Sequence, residues 1–320
     1  MMKRICFSLI IVLLFLSAFP GENQAAKKLF IVTTIPDLAS IAREVGGNYV
    51  ETFSIAKGYQ DPHFVDPKPS YMMKLQKADV FIQVGLDLEI GWVPSLLDGA
   101  RNPDILPGGK GYIDASQNVP LLEIPVGDPT KLRAQGDIHV YGNPHYWLDP
   151  LRGKIIAENI YNVLARLRPE YSKAFARNLA VFKEKIDRKT AEWIKRMQPY
   201  EGTKIVAFHN SWPYLEERFP FDIIAFIEPK PGIPPTPRHL IRVIRTMKEH
   251  DVRVIIISPY YSKKSSQLVA SRTGAILVEL AGSVGAEPGI DTYFDLFEYN
   301  ISKLIEAFKQ AGIKPHPTED

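Results

Sequence analysis

Cysteine is almost missing from this chain. The one copy, Cys6, falls inside an N-terminal apolar run, so a chain that has shed that run holds no thiol and no disulfide. Exported domains often rely on disulfides, but a chain of 320 residues is long enough to be held by its buried core alone. Cys6 also lies too early to be a lipid-attachment cysteine. Neither sign of charge dominates. The formal net charge of +3 falls to +2 once Lys3, Arg4 and Glu22 are removed with the N-terminus. That near-balance argues against nucleic acid as a partner and against strong attraction to anionic lipid. There is no low-complexity tract, no HExxH, no GxSxG and no glycine-rich phosphate loop following a strand. The motif-borne metallopeptidases, serine hydrolases and nucleotide enzymes are thereby set aside.

Only one long apolar run is present. "ICFSLIIVLLFLSAF" follows the basic "MMKR" and precedes the polar, small-residue segment "PGENQAAKK". The run is about 15 residues, shorter than the roughly 20 a spanning helix needs. Residues 1–26 are therefore expected to be a signal peptide, cut around Ala25 or Ala26, that exports the chain to the periplasm. A retained membrane anchor is the alternative.

What is plentiful is β-branched apolar sequence in short pieces. "LFIVTTIP" (29–36), "YVETFSIA" (49–56), "ADVFIQVG" (78–85) and the weaker "GYIDAS" (111–116) have the character of buried strands. "TKIVAFH" (203–209), "FDIIAFI" (221–227), "VRVIIISP" (252–259) and "AILVELA" (275–281) repeat the scheme. Helical stretches such as 236–250 and 261–272 separate them, as in a parallel sheet with helices on both faces. The 26 prolines cluster at segment ends, where rigid turns belong. Between the two sets, a helical pattern from Leu151 to about Leu167 is interrupted at Pro169. Beyond it Phe175, Leu179, Phe182, Ile186, Trp193 and Met197 recur mostly at three- and four-residue steps. That helix should run roughly 40 Å at 1.5 Å per residue. The expectation is an α/β protein of two lobes, each a mainly parallel four-stranded sheet flanked by helices, joined by one long rigid helix. Its parts are an N-terminal lobe at 27–168, a linking helix at 169–199 and a C-terminal lobe at 200–320.

Three of the seven histidines share a context. His63 sits in "DPHFVDPKPS" past the second strand, His145 in "NPHYWLDP", and His209 ends "TKIVAFH". Ligands in open α/β sheets gather outside the carboxyl ends of strands. Proline before His63 and before His145 restrains the backbone and lowers the entropy lost on fixing a ligand. On these grounds alone, hydrogen-bonded structural histidines and metal ligands both stand as readings. His239 fits a helix face, His250 a helix C-terminus and His316 a polar tail. His139, six residues before His145 in a loop, is an accessory candidate.

"DPHFVDPKPS", "GNPHYWLDP", "FHNSWPYLEERF", "IEPKPGIPPTPRHL" and "DTYFDLFEYN", in that order along the whole mature chain, resemble the signature segments of the metal-binding lipoprotein/adhesin-like family. These are the solute-binding components of zinc and manganese ABC importers. The resemblance implies two α/β lobes on a rigid helix, with the metal between them and two ligands from each. It maps the ligands onto His63, His145, His209 and Asp291, with Glu287 and Asp295 as nearby acidic competitors for the last place. His139, Glu228, Trp147, Trp212 and Tyr214 are accessory or supporting positions, and Tyr146 joins the aromatic surround.

Three imidazoles and one carboxylate suit tetrahedral zinc. Manganese-selecting members of the family resemble this chain but usually carry glutamate where His209 stands, so Zn2+ is the expected cargo and Mn2+ (or iron) the alternative. Many zinc members also carry a long loop rich in His and Asp. Here "LLEIPVGDPTKLRAQGDIHVYG" is short and holds only His139. The rival class is a zinc hydrolase, with His63, His145 and His209 as its triad and water in the fourth place; Asp291 as fourth ligand would close that position. A surface adhesin has no repeat or anchoring tail to support it. The protein is expected to act as a monomer that hands its metal to an inner-membrane permease, with loop movements and slight lobe tilts on binding.

Overall fold

The structure, a computed structural model, describes residues 27–128 and 139–316. The segment expected to be a signal peptide lies outside the described residues. Among those described, no helix is long and apolar enough to cross a membrane.

All eight expected strands form. The first sheet holds β1 (Leu29–Thr33), β2 (Val50–Ser54), β3 (Val80–Gln83) and β4 (Tyr112–Asp114) in the order β2-β1-β3-β4, parallel throughout. The second holds β5 (Thr203–Ala207), β6 (Phe221–Phe226), β7 (Val254–Ile257) and β8 (Ile276–Glu279) in the equivalent order β6-β5-β7-β8, also parallel. Central strands are buried on both faces, and the all-apolar Val254–Ile257 shows it residue by residue. The strands are shorter than the apolar runs that announce them. β1 stops at Thr33 because Pro36 already opens a helix, α1 (Pro36–Gly46).

Proline starts most of the other helices as well. It stands at the first or second position of α2 (Pro69–Gln76), α3 (Val93–Ala100), α4 (Pro150–Leu167), α6 (Pro213–Arg218) and α7 (Pro237–Glu249). Its missing N–H costs nothing there and its fixed φ is already helical. In α4 the proline is the first helical residue, and the Asp149 carboxylate caps it by accepting from the Leu151 N–H at 3.0 Å. The helix expected to begin at Leu151 therefore begins one residue earlier.

The long helix is α5 (Ser172–Met197), 26 residues or about 39 Å, set between short 3-10 turns at Pro169–Tyr171 and Gln198–Tyr200. Its buried stripe is Phe175, Phe182, Ile186, Thr190, Trp193 and Met197. That stripe packs on α1 and α4 of the first lobe and on α9 (Tyr293–Gln310) of the second. In consequence one apolar cluster runs through both lobes, from Ile31 and Phe81 through Phe182 to Ile205 and Phe297. A smaller cluster lies between the second sheet and its outer helices α7 and α8 (Lys264–Thr273), built on Val206, Ile255, Leu240 and Val269.

Polar contacts fasten the lobes where the core ends. Asp37 on α1 accepts from the Ser283 hydroxyl and from the Val284 N–H at 3.1 Å. Ser40 Oγ accepts from the Tyr293 N–H at 2.9 Å. The Trp147 indole donates to the Gly282 carbonyl at 2.9 Å, and the Tyr293 hydroxyl donates to the Trp147 carbonyl at 2.5 Å. Burial pushes the Asp37 carboxyl up to about 6, against the lowering effect of its hydrogen bonds with Ser283 and Val284.

Candidate metal centre

The two sheets present their carboxyl ends to a common cleft, and the three histidines meet there. His209 lies two residues beyond β5. Its loop is held in line with the sheet by the Phe208 N–H on the Ile256 carbonyl at 2.8 Å and the Glu228 N–H on the Phe208 carbonyl at 2.9 Å. His63 and His145 come from turns of the first lobe with the same local chemistry, an Asx–Pro–His sequence. Asp61 Oδ1 accepts from the His63 backbone N–H at 3.0 Å and stands 2.7 Å from His63 Nδ1. Asn143 Oδ1 accepts from the His145 backbone N–H at 3.0 Å and stands 2.9 Å from His145 Nδ1. In both turns one short side chain fixes the backbone and the ring together.

His209 obtains the same result from a distance: its Nδ1 meets Glu228 Oε2. Glu228 is itself pinned by the Gly232 N–H at 3.0 Å. Each Nδ1 is thus committed as a donor to an oxygen. Every Nε2 is left with a lone pair, the arrangement that a metal-binding imidazole needs. The three rings are buried, and their candidate ligand atoms all lie within 4.8 Å of one another. His145 Nε2 is buried without a hydrogen-bond partner, an expensive state for a polar atom unless a ligand completes it.

Electrostatics keep the His145 ring in the ligating form. Burial first, and then the nearby His63, His209 and His139, hold the His145 ring well below the usual imidazole range. Burial alone would raise the Asp61 carboxyl. The His63 hydrogen bond and charge outweigh it and hold that carboxyl low.

His139 also approaches. Its Nε2 is 3.1 Å from His63 Nε2, and with His145 and His209 it lines a cavity of about 270 Å³ whose rim includes Glu123 and Pro231. Burial, then the charges of His63 and His209, lower the His139 ring to about 3.

Asp291 is not brought into this group. It is exposed, in the turn that leads into α9, where Thr292 and Asp295 form the capping box that starts the helix. Asp295 is thereby occupied as a cap rather than available to a metal. Among the other supporting candidates, Glu228 meets His209, and the Trp147 ring lies 5.3 Å from His145. Tyr214 donates to the Asn143 carbonyl at 2.7 Å, and Tyr146 donates to the Val84 carbonyl at 2.7 Å. Trp212 is fully buried. His239 binds the Phe226 carbonyl, and His250 caps the C-terminus of α7. Asn143-Pro144 was expected to fix the loop that presents His145; the bonds from Asp61 and Asn143 to the histidine rings themselves were not among the sequence expectations. Their signal was the repeated Asx–Pro–His.

Comparisons with known proteins match the chain in sequence and in fold. A family model described as "ZnuA: Zinc-uptake complex component A periplasmic" matches residues 31–307. The manganese-binding lipoprotein MntA of Halalkalibacterium halodurans is 25% identical over 324 residues, covering 97% of this chain and 100% of that protein. The iron-binding protein YfeA of Yersinia pestis is 27% identical over 300 residues, covering 91% and 89%. The crystal structure of ZnuA superposes with a TM-score of 0.74 at 25% identity, covering 88% of this chain and 99% of the other.

Proposed function

This chain belongs to the family of the periplasmic component A of the zinc-uptake complex, metal-binding receptors of ABC importers rather than enzymes, and from that premise we propose that Zn2+ is its cargo. In this reading Nε2 of His63, His145 and His209 hold the ion between the lobes, and the loaded protein, exported to the periplasm, delivers it to a membrane permease. The carrying observation is the convergence of three buried imidazoles whose Nδ1 atoms are already committed. Neutral nitrogen donors favour zinc over manganese or iron, which prefer more oxygen. Relatives named for manganese and iron make that preference the part to be tested.

The protein's own contribution is preorganisation. Asp61, Asn143 and Glu228 fix ring tautomer and direction, and the aromatic surround excludes bulk water. The core shared by both lobes resists opening. Capture therefore costs little rearrangement, and release requires the permease to disturb the loops. The test is metal content of protein purified without added metal, with competition titration against a chelator. One tight Zn2+ per chain is expected, and His145→Ala should weaken it by orders of magnitude. Mn2+ bound as tightly as Zn2+ would overturn the zinc assignment.

A further inference from the structure

We propose that the groove between α7 and α8 is the face by which the metal-loaded protein docks on its permease, receiving a permease segment whose apolar side chains are flanked by carboxylates. This rests on the receptor reading above and adds where the receptor is held. The groove encloses about 430 Å³ between Pro235, Pro237, Leu240, Ile241, Ile244 and Leu268, with Lys248 and Arg272 beside them. Ile241 is 59% and Leu268 45% exposed, while Leu240 is buried and Ile244 half-buried. Its surroundings are basic. Arg238, Arg242, Arg245 and Lys248 on α7 and Lys264 and Arg272 on α8 are all exposed, with no carboxylate in α7 before Glu249 and none in α8. Lys263, just ahead of α8, is paired with Glu279 at 2.6 Å, but among the described residues none of those six cations has an ion pair. In a chain whose net charge is only +3, uncompensated cations on the two helices that form an apolar groove mark a surface for a negatively charged, partly apolar partner.

Shape makes the occupant a protein segment rather than a lipid surface. The apolar floor is recessed, so covering Leu240 and Ile244 takes side chains that enter between the helices, as an amphipathic segment presents them. Position makes it the permease. The loop from Glu228 to Pro237 borders both the groove and the metal cavity. Glu228 meets His209 Nδ1, Pro231 lines the metal cavity, and Pro235 and Pro237 line the groove. Pro229, Pro231, Pro234, Pro235 and Pro237 stiffen that loop. The Gly232 N–H on Glu228 Oε1 and the Ile233 N–H on the Lys230 carbonyl, both at 3.0 Å, close it into a turn. A stiff loop pushed at its Pro235 end carries the displacement to Glu228 instead of absorbing it. A partner seated in the groove therefore bears on the carboxylate that orients one histidine of the site. That suits a partner whose task is to take the ion.

The experiment measures binding of the mature, zinc-loaded protein to its cognate permease reconstituted in nanodiscs, beside protein-free nanodiscs of the same anionic lipid. One variant combines Ile241→Glu with Leu268→Glu and puts carboxylates into the groove. A second combines Arg242→Glu with Arg245→Glu and reverses the charge beside it. Val181→Glu, at a 63% exposed apolar position on α5, is the control. Each double variant should weaken docking at least about tenfold, and Val181→Glu should dock like wild type. Zinc titration and thermal melting should be unchanged in all three, since every substituted residue is exposed and outside the metal cavity. Added salt should weaken wild-type docking more than that of the charge-reversed variant. Either double variant docking like wild type, or Val181→Glu docking as poorly as they do, overturns the groove as the docking face and leaves the metal site standing. Wild-type protein binding protein-free nanodiscs as tightly as those with permease assigns the face to lipid and overturns the permease proposal. A wild-type chain that takes up no tight zinc removes the receptor reading instead.

Discussion

Arg218 grips both carboxylate oxygens of the fully buried Asp149, with Nε at 2.8 Å and Nη2 at 2.9 Å. Asp149 ends the loop that carries His145, and Arg218 closes the helix that follows His209. The pair therefore ties a histidine-bearing loop of one lobe to a histidine-bearing segment of the other. Arg152 adds a third bond to Asp149 at 2.7 Å.

Replacing Asp149 by alanine should destabilise the protein by about 3 kcal/mol, the low end for breaking a buried ion pair. The low end applies because Arg152 keeps Glu217 and Arg218 is partly exposed. Urea unfolding of the metal-free protein measures it. A loss under about 1 kcal/mol would mean that the pair behaves as a surface one.

Asn143→Ala addresses orientation rather than coordination. Removing its Oδ1 frees the His145 ring to rotate and to change tautomer. Zinc affinity should fall about 10- to 100-fold, with Tm of the metal-free protein changed far less than in Asp149→Ala. Equal zinc affinity in Asn143→Ala and wild type would show that packing against Trp147 alone positions the ring.

Two buried carboxyls give stability a pH dependence of definite sign. Burial pushes Asp37 up to about 6 and Glu89 up to about 7, Glu89 despite backbone N–H groups of Val84 and Gly85 at 2.8 and 3.1 Å. Both folded-state values lie above the usual carboxyl range near 4. The stability that the protonated forms contribute is therefore full below about pH 4 and lost as pH rises through 6 and 7. The depressed His139 and His145 rings act with the opposite sign below about pH 6.5, so the check is a difference: from pH 5 to 8 the Tm of metal-free Glu89→Gln should gain on that of the metal-free wild type. A Glu89→Gln Tm that does not gain on wild type over that range contradicts the assignment.

Gly58 tests the closeness of the lobes. A Cβ there would stand 2.1 Å from the Val284 carbonyl oxygen and 2.4 Å from the Ala286 nitrogen. Both are backbone atoms that cannot turn aside. Gly58→Ala should cost about 1–3 kcal/mol, read by urea unfolding. An unchanged midpoint would mean that the 283–286 loop yields freely.

The architecture was legible because its signals are local. Buried parallel strands announce themselves as apolar β-branched runs, and α5 as an apolar stripe with no breaker inside it. The three clustered histidines were legible by position, since His63 and His209 follow strands at the end where α/β sheets bind ligands. What was not legible depends on how loops fold across long separations. His139 and His63 are brought together across 76 residues, and Glu228 faces His209 only because β6 lies beside β5. Asp291 was expected at the site through family likeness. The structure turns it outward where α9 spends the adjoining Thr292 and Asp295 on its cap.

The hydrogen bonds behind the rings also set a valence. An imidazole that binds a metal is neutral, and two of the oxygens that orient these rings belong to carboxylates, Asp61 and Glu228. A doubly charged ion is matched by those two negative charges, one bond further out than its ligands. A singly charged ion would leave one negative charge over, and a triply charged ion one positive, each in surroundings where unbalanced charge is costly. The protein can therefore weigh the charge of an ion with residues that never touch it.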